Sequence, residues 1–180
     1  IQSRIFLNRS VPEIVEEVLL GTGFSDFDYE FRLSTHRYPK REYVVQYQES
    51  DLQFISRLLE SEGIFYFFQQ EEDFEKVIFG DGNSAFEITW GMTFPHVPDH
   101  SGEDWFDSEG VRALELHHDR IPREVILRDY NYRKPDLELK STAPVNSGGF
   151  GTVFEYGSHY KTPEEGERLA RVRAEECLCW

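Results

Sequence analysis

At 180 residues, with 34 acidic against 19 basic side chains and a formal net charge of −15, the chain has no surplus of cations for a nucleic-acid groove or an anionic membrane. A hydrophobic content of 39%, of which aromatic residues supply a large share, is ample for a packed core and excludes a disordered chain. The acidity reads first as solubility, and more sharply as an acidic face that meets a basic partner.

The first predicted element is a helix. Ser10 and Glu13 form a capping box, and Pro12 lies in the first turn, where its missing amide costs nothing. Val11, Ile14, Val15, Val18 and Leu19 share one face, Glu13, Glu16 and Glu17 lie opposite, and Gly21 marks the end. Residues 29–33 alternate as a strand, and Tyr38-Pro39 marks a turn.

Residues 41–68 read as strand, helix and strand with almost no slack. Tyr43, Val45 and Tyr47 alternate with Val44 and Gln46, the period of a half-buried strand. Ser50 and Gln53 form a second capping box, and Leu52, Phe54, Ile55, Leu58 and Leu59 form a broad apolar arc. Gly63 stands where a helix ends in the left-handed conformation. The strand at 64–68 is apolar on both faces and is expected to be covered on both sides.

A hairpin at 70–73 returns the chain as a strand at 76–79, and Asp81-Gly82-Asn83 turns it into a short strand at 86–90. Residues 91–110 form a long loop with Phe94, Trp105 and Phe106 as aromatic anchors. Strands follow at 112–118 and 123–132, then a Gly/Ser loop at 141–151 and a strand at 152–156. Thr162 and Glu165 form a third capping box, with Pro163 at the first helical position, and open a last helix with Leu169, Ala170, Ala174 and Cys177 on one side. Cys177 and Cys179 are too close for a structural disulfide, which points to a reducing compartment. No signal peptide, bilayer-spanning run or internal repeat is legible, and the chain reads as part of something longer. These elements give an α+β chain, strand-rich, with three attached helices. The expected division is 1–80, 81–150, and 151–180, the last packing back on the first.

Each candidate for chemistry has a simpler structural explanation. His96, Asp99 and His100, with Glu103 and Asp104, offer imidazole and carboxylate ligands for a divalent metal, but read as solvated loop residues. His117, His118 and Asp119 have the composition of a general-base pair, yet adjacent strand residues point to opposite faces and no nucleophile elbow is present. Gly148, Gly149, Phe150 and Gly151 lack the Lys-Ser/Thr pair of a phosphate loop. The carboxylate pairs Glu71/Glu72 and Glu164/Glu165 have structural roles at a hairpin tip and a helix start. Tyr43, Tyr47, Phe65, Tyr66, Phe67 and Phe68 read as core rather than as a sugar platform. No catalytic residue, metal ligand or cofactor site is assigned.

In order along the chain, Arg4-Ile5-Phe6, the run 10–19, Tyr38-Pro39-Lys40-Arg41-Glu42-Tyr43, Val45-Gln46-Tyr47, Glu49-Ser50-Asp51-Leu52, the run 54–60 and Glu62-Gly63-Ile64 resemble the VgrG spike family of bacterial type VI secretion systems. The portion resembled is the baseplate hub shared with contractile phage tails. Agreement at 125–130 and 165–170 is weaker, and 81–120 contributes almost nothing. The resemblance implies a phage-baseplate-hub-like architecture with a barrel-like sheet. It also implies a homotrimer in the full-length protein, an Hcp-like hexameric tube and secreted effectors or adaptors as partners, and no enzymatic activity. Assembly is then expected in the bacterial cytoplasm, followed by export through the type VI apparatus without a signal peptide. A phage-tail hub is the alternative, with a carbohydrate-binding module or metal-dependent hydrolase more remote.

Overall fold

Twice in the first half of the chain, a strand runs directly into a serine-capped helix. The computed structural model describes residues 1–34, 38–71, 74–87, 93–96, 110–116 and 119–179. The first pass consists of strand β1 (Gln2–Arg9) and helix α1 (Val11–Gly21), followed by β2 (Tyr29–Arg32). The second is β3 (Arg41–Glu49) and α2 (Asp51–Glu62), followed by β4 (Phe65–Gln70) and β5 (Glu75–Gly80). Both capping interactions form as the sequence predicts. The Ser10 amide donates to the Glu13 carboxylate at 2.7 Å, and the Ser50 amide donates to Gln53 Oε1 at 3.1 Å.

These two units are an internal repeat that sequence reading did not find. Ser50 stands forty positions after Ser10, and the correspondence holds on either side. Two residues before each serine the backbone turns left-handed, at Asn8 (φ 52°) and Gln48 (φ 50°). Ile14, Val15, Val18 and Leu19 correspond to Phe54, Ile55, Leu58 and Leu59, and all eight are buried. Gly23 and Gly63, both at positive φ, follow the two helices. β1 and β3 pair antiparallel with Ile5 directly opposite Val45, its own equivalent, so a pseudo-twofold axis passes between them. The two units differ in side-chain identity at most positions and agree in the buried helix face and in backbone conformation.

A single apolar cluster joins Phe6 and Val44 on the inner face of this ribbon, the facing sides of α1 and α2, and Tyr29 and Phe79 of the second sheet. That sheet has the order β2-β5-β4, with β2 parallel and β4 antiparallel to β5. β4 is therefore an edge strand. Phe65 and Phe67 stack on Phe86, but Tyr66 and Phe68 on the other face remain exposed, so this strand is not covered on both sides. The apolar run had two physical causes: one face packs, and the other is left open.

The second half builds its own layer. β6 (Glu124–Asp129) lies between β7 (Leu139–Pro144), antiparallel, and β8 (Thr152–Tyr156), parallel. Helix α3 (Pro163–Glu176) covers one face through Ala170 and Ala174 against Val125, Leu127, Leu139 and Ala143. β7 occupies part of what reads in sequence as a Gly/Ser loop. Its inward residues Leu139, Ser141 and Ala143 are mostly small because the helix approaches closely, and small residues give a weak strand signal. A methyl group added at Gly166 would lie 2.4 Å from Ser141 Oγ and 2.5 Å from the Tyr160 ring. Gly166→Ala is expected to destabilise the chain by about 1–3 kcal/mol, since overpacking must push the helix off the sheet. Urea denaturation checks this.

The three sheets remain open, with two, three and three strands. No sheet closes among the described residues, so the expected barrel-like sheet is not present within this segment; the outer strands each pair on one side only. Residues Ile1–Phe86 and Ile121–Trp180 form one unit, and Glu87–Arg120 a second. In that second unit His96 and Val111 form a parallel bridge, with the Val111 amide donating to Pro95 O at 2.9 Å. The strand expected at 112–118 is not formed at 112–116, where Leu114 and Leu116 are exposed and lack ladder partners; 117–118 lie outside the described residues. The expected strand at 86–90 lies mostly outside them as well. No described helix is long and apolar enough to cross a membrane.

Candidate interaction surface

Those of the residues singled out for chemistry that lie among the described residues do not converge. His96 is held in its bridge, while Asp99, His100, Glu103, Asp104, His117 and His118 lie outside the described residues. Asp119 is exposed. Among the described residues no three His, Cys, Asp or Glu side chains are grouped to hold a metal ion. The glycine loop makes a tight turn, not a phosphate cradle: the Gly148 amide donates to Asn146 Oδ1, and Phe150 N to Ile121 O. Glu71 accepts from Gln69 Nε2, and Glu72 lies outside the described residues. Glu165 accepts from the Lys161 amide at 2.8 Å, one residue earlier than a capping box requires, while the Thr162 hydroxyl caps Glu165 N. The residue preceding the cap is thus the one stapled.

Buried polar groups serve as joints between elements, and each such side-chain atom among the described residues has a hydrogen-bond partner. Glu62, at the end of α2 and 4% exposed, accepts from Arg41 of β3 at 2.6 Å and from Arg168 of α3 through its other oxygen. Arg168 also lies over the Tyr38 ring, 5.7 Å from its centroid. Tyr38 donates to Asp81 at 2.8 Å, and burial, reinforced by that carboxylate, pushes its phenol well above the ordinary range. One carboxylate thereby ties the repeat to the second half of the chain. A second network lies under the ribbon, where Arg4 Nε donates to Gln46 Oε1 and Gln46 Nε2 to Asp51 Oδ1, both at 2.9 Å. Arg4 pairs directly with Asp51 and closes the triangle.

The unusual surface is apolar. On the outer face of the ribbon Ser3, Ile5 and Leu7 stand opposite Tyr47, Val45 and Tyr43. Ile5, Leu7, Tyr43 and Tyr47 are each more than 60% exposed. The tyrosines expected in the core therefore face solvent, while Val44 and Gln46 point inward. A second uncovered face lies on β7-β6-β8 opposite α3, where Phe154 and Tyr156 are 60% and 62% exposed beside Ile126. An open cleft of 490 Å³ adjoins it, where Tyr130, Phe154 and Tyr156 stand beside the charged residues Arg128, Asp129, Asp136 and Glu138. A solvated sheet face alternates to polar residues, so the outer face of the ribbon has the chemistry of a contact face, whereas the second carries Arg128, Lys140 and Thr142 beside its aromatic residues.

Comparison with known proteins gives these faces a setting. The family model described as phage tail baseplate hub (GPD) matches residues 1–179. The chain belongs to the phage tail baseplate hub family. This hub chain is 34% identical over 180 residues to the type VI secretion system spike protein VgrG1a of Pseudomonas aeruginosa, covering 96% of the chain and 27% of that protein. It is 32% identical to VgrG1c of the same organism, covering 96% and 24% respectively. The hub chain thus spans about a quarter of the length of these curated relatives. A solved Escherichia coli protein, c3393, described as a component of the type VI secretion system with structural similarity to T4 tail proteins gp27 and gp5, is 39% identical over 48% of the chain and 25% of that structure, with a TM-score of 0.46.

Proposed function

We propose that this chain is a structural segment of the hub at the cell-puncturing tip of a type VI secretion system, and that its role is assembly and force transmission without catalysis. The observation that carries the reading is the match to a hub family whose similar relatives are named as spike proteins, on a chain with an apolar outer ribbon face. In the full-length protein three copies form the hub, and the hub sits on an Hcp-like hexameric tube and carries effectors or adaptors. The barrel-like architecture belongs to that assembled state, where open sheet edges find partners. Assembly takes place in the bacterial cytoplasm and export follows through the apparatus.

Deleting the gene that encodes this chain is expected to abolish release of the tube protein into the medium, with restoration by the wild-type gene. Unchanged release would overturn the proposal. The family model itself favours a second reading, the hub of a phage or phage-like tail. A neighbouring gene for a sheath-disassembling ATPase marks the secretion system.

A further inference from the structure

We propose that the two halves of this chain are separately cored layers joined by an electrostatic latch, and that loosening the latch lets β6-β7-β8-α3 open while the β1-α1 and β3-α2 repeat stays folded. The device belongs to the chain's own fold and is the same whether the chain serves a secretion system or a phage tail.

The apolar cores do not merge. The cluster of the repeat draws no residue from beyond Phe79, and the cluster under α3 draws none from before Val125. Partly buried side chains packed against each cluster come from the same half as the cluster itself. An apolar contact that does cross, Val172 against Gly63, is confined to a position that has no side chain of its own. Parting the halves therefore returns little apolar surface to water. The two cores also differ in strength. Phe54, Ile14, Leu58 and Leu59 fill the first, whereas Ala143, Ala170 and Ala174 make up much of the second.

What crosses the boundary is charge, and it is sorted. Glu62 of α2 accepts from Arg168 of α3. Glu42 of β3 pairs with Arg133 at 2.5 Å and with Lys161 at 3.2 Å. Arg173 of α3 reaches the Glu60 carbonyl at 3.4 Å, and Arg168 lies over the Tyr38 ring. These four cations all belong to the second half, and their acceptors all belong to the first. The sorting follows composition, since residues 1–86 carry an excess of carboxylates while residues 121–180 are nearly balanced.

The latch has an outer and an inner tier. Glu42, Arg133 and Lys161 are each about half exposed, so salt screens them: the screening length falls from about 10 Å at 0.1 M to about 3 Å at 1 M. Hydrogen bonds from Lys161 and then Arg133 hold the Glu42 carboxyl below the usual carboxylate range. Glu62 is buried, and salt reaches its pairs far less. A buried pair normally stays shut because opening strands a charge. Here Arg41 comes from β3, on the same side as Glu62, and remains with the carboxylate when Arg168 departs. The joint can open without leaving a buried carboxylate unpaired.

Amide hydrogen exchange on the whole chain, resolved by peptide, tests the latch. One arm compares wild type at about 0.1 M and about 1 M sodium chloride and needs no variant. The other uses Glu42→Gln with Arg168→Gln, which loosens both tiers and leaves Arg41 on Glu62. In the double variant β6 and β7 are expected to exchange about 10-fold faster, and in high salt about 3-fold faster, while α1 stays within about twofold of wild type at low salt. Charge reversal separates attraction from packing. Glu42→Lys is expected to speed exchange in β6, and Glu42→Lys with Arg133→Glu and Lys161→Glu to restore the wild-type rate. Equal acceleration of α1 and β6 would show one cooperative unit, and unchanged exchange in β6 would show that the latch holds nothing. Either result overturns the proposal, as does a reversed set that fails to restore the rate.

Discussion

Replacing Phe54 by alanine is expected to cost about 3–5 kcal/mol, a large part of the 5–15 kcal/mol that holds an ordinary domain together. The side chain is fully buried in α2, and its ring stacks on Phe6 of the ribbon with centroids 5.4 Å apart. The Arg57 guanidinium lies over the same ring at 5.0 Å. Removing it opens a cavity where ribbon and helix meet, and both elements are too constrained by their capping serines to collapse inward. Leu52 on the same helix is the control. It belongs to the apolar arc read from the sequence but is 64% exposed, so Leu52→Ala is expected to change stability by less than about 0.5 kcal/mol. Equilibrium urea unfolding of both variants separates them. Equal costs would mean that the ribbon does not rest on α2.

Glu62→Ala is expected to cost about 2–4 kcal/mol, because it leaves Arg41 and Arg168 facing one another without a counter-charge. The lower part of the range for breaking buried pairs applies, since the two arginine side chains are 33% and 22% exposed and water screens them in part. The loss should also be local. Gly63, which ends α2 at φ 73°, packs against Val172, so α3 is held beside α2 by Glu62 and by this contact. Amide hydrogen exchange in α3 is expected to accelerate in Glu62→Ala more than exchange in α1. In a double-mutant cycle with Arg168→Met, the second change should cost markedly less in the absence of Glu62. A cycle with no coupling would show the carboxylate to be a bystander.

Both experiments address features with different legibility in the sequence. The helix starts were readable because a capping box is local: Ser10 with Glu13 and Ser50 with Gln53 satisfy their own backbone within one turn. Gly63 was readable for the same reason, since a left-handed residue must end the helix where it stands. β7 was not, because its inward residues are sized by the approach of a helix more than twenty positions away. The Glu62 joint was invisible too. Its two arginines come from β3 and α3, and nothing in the local pattern of α2 distinguishes Glu62 from the neighbouring Glu60.

The candidate surface shows the same boundary. Alternation at 43–47 established that the strand has two faces, and the resemblance to a hub family was carried by local runs of residues. The direction each face points was decided by which side α1 and α2 could pack against. Phe6 and Val44 fit between the helices, and with antiparallel register fixed, every tyrosine on the other parity had to face outward. Periods, caps and turns are legible in the chain because interactions within a few residues settle them. The internal twofold, the polar joint and the uncovered ribbon face are not, because each depends on distant segments meeting and on what those meetings leave unburied.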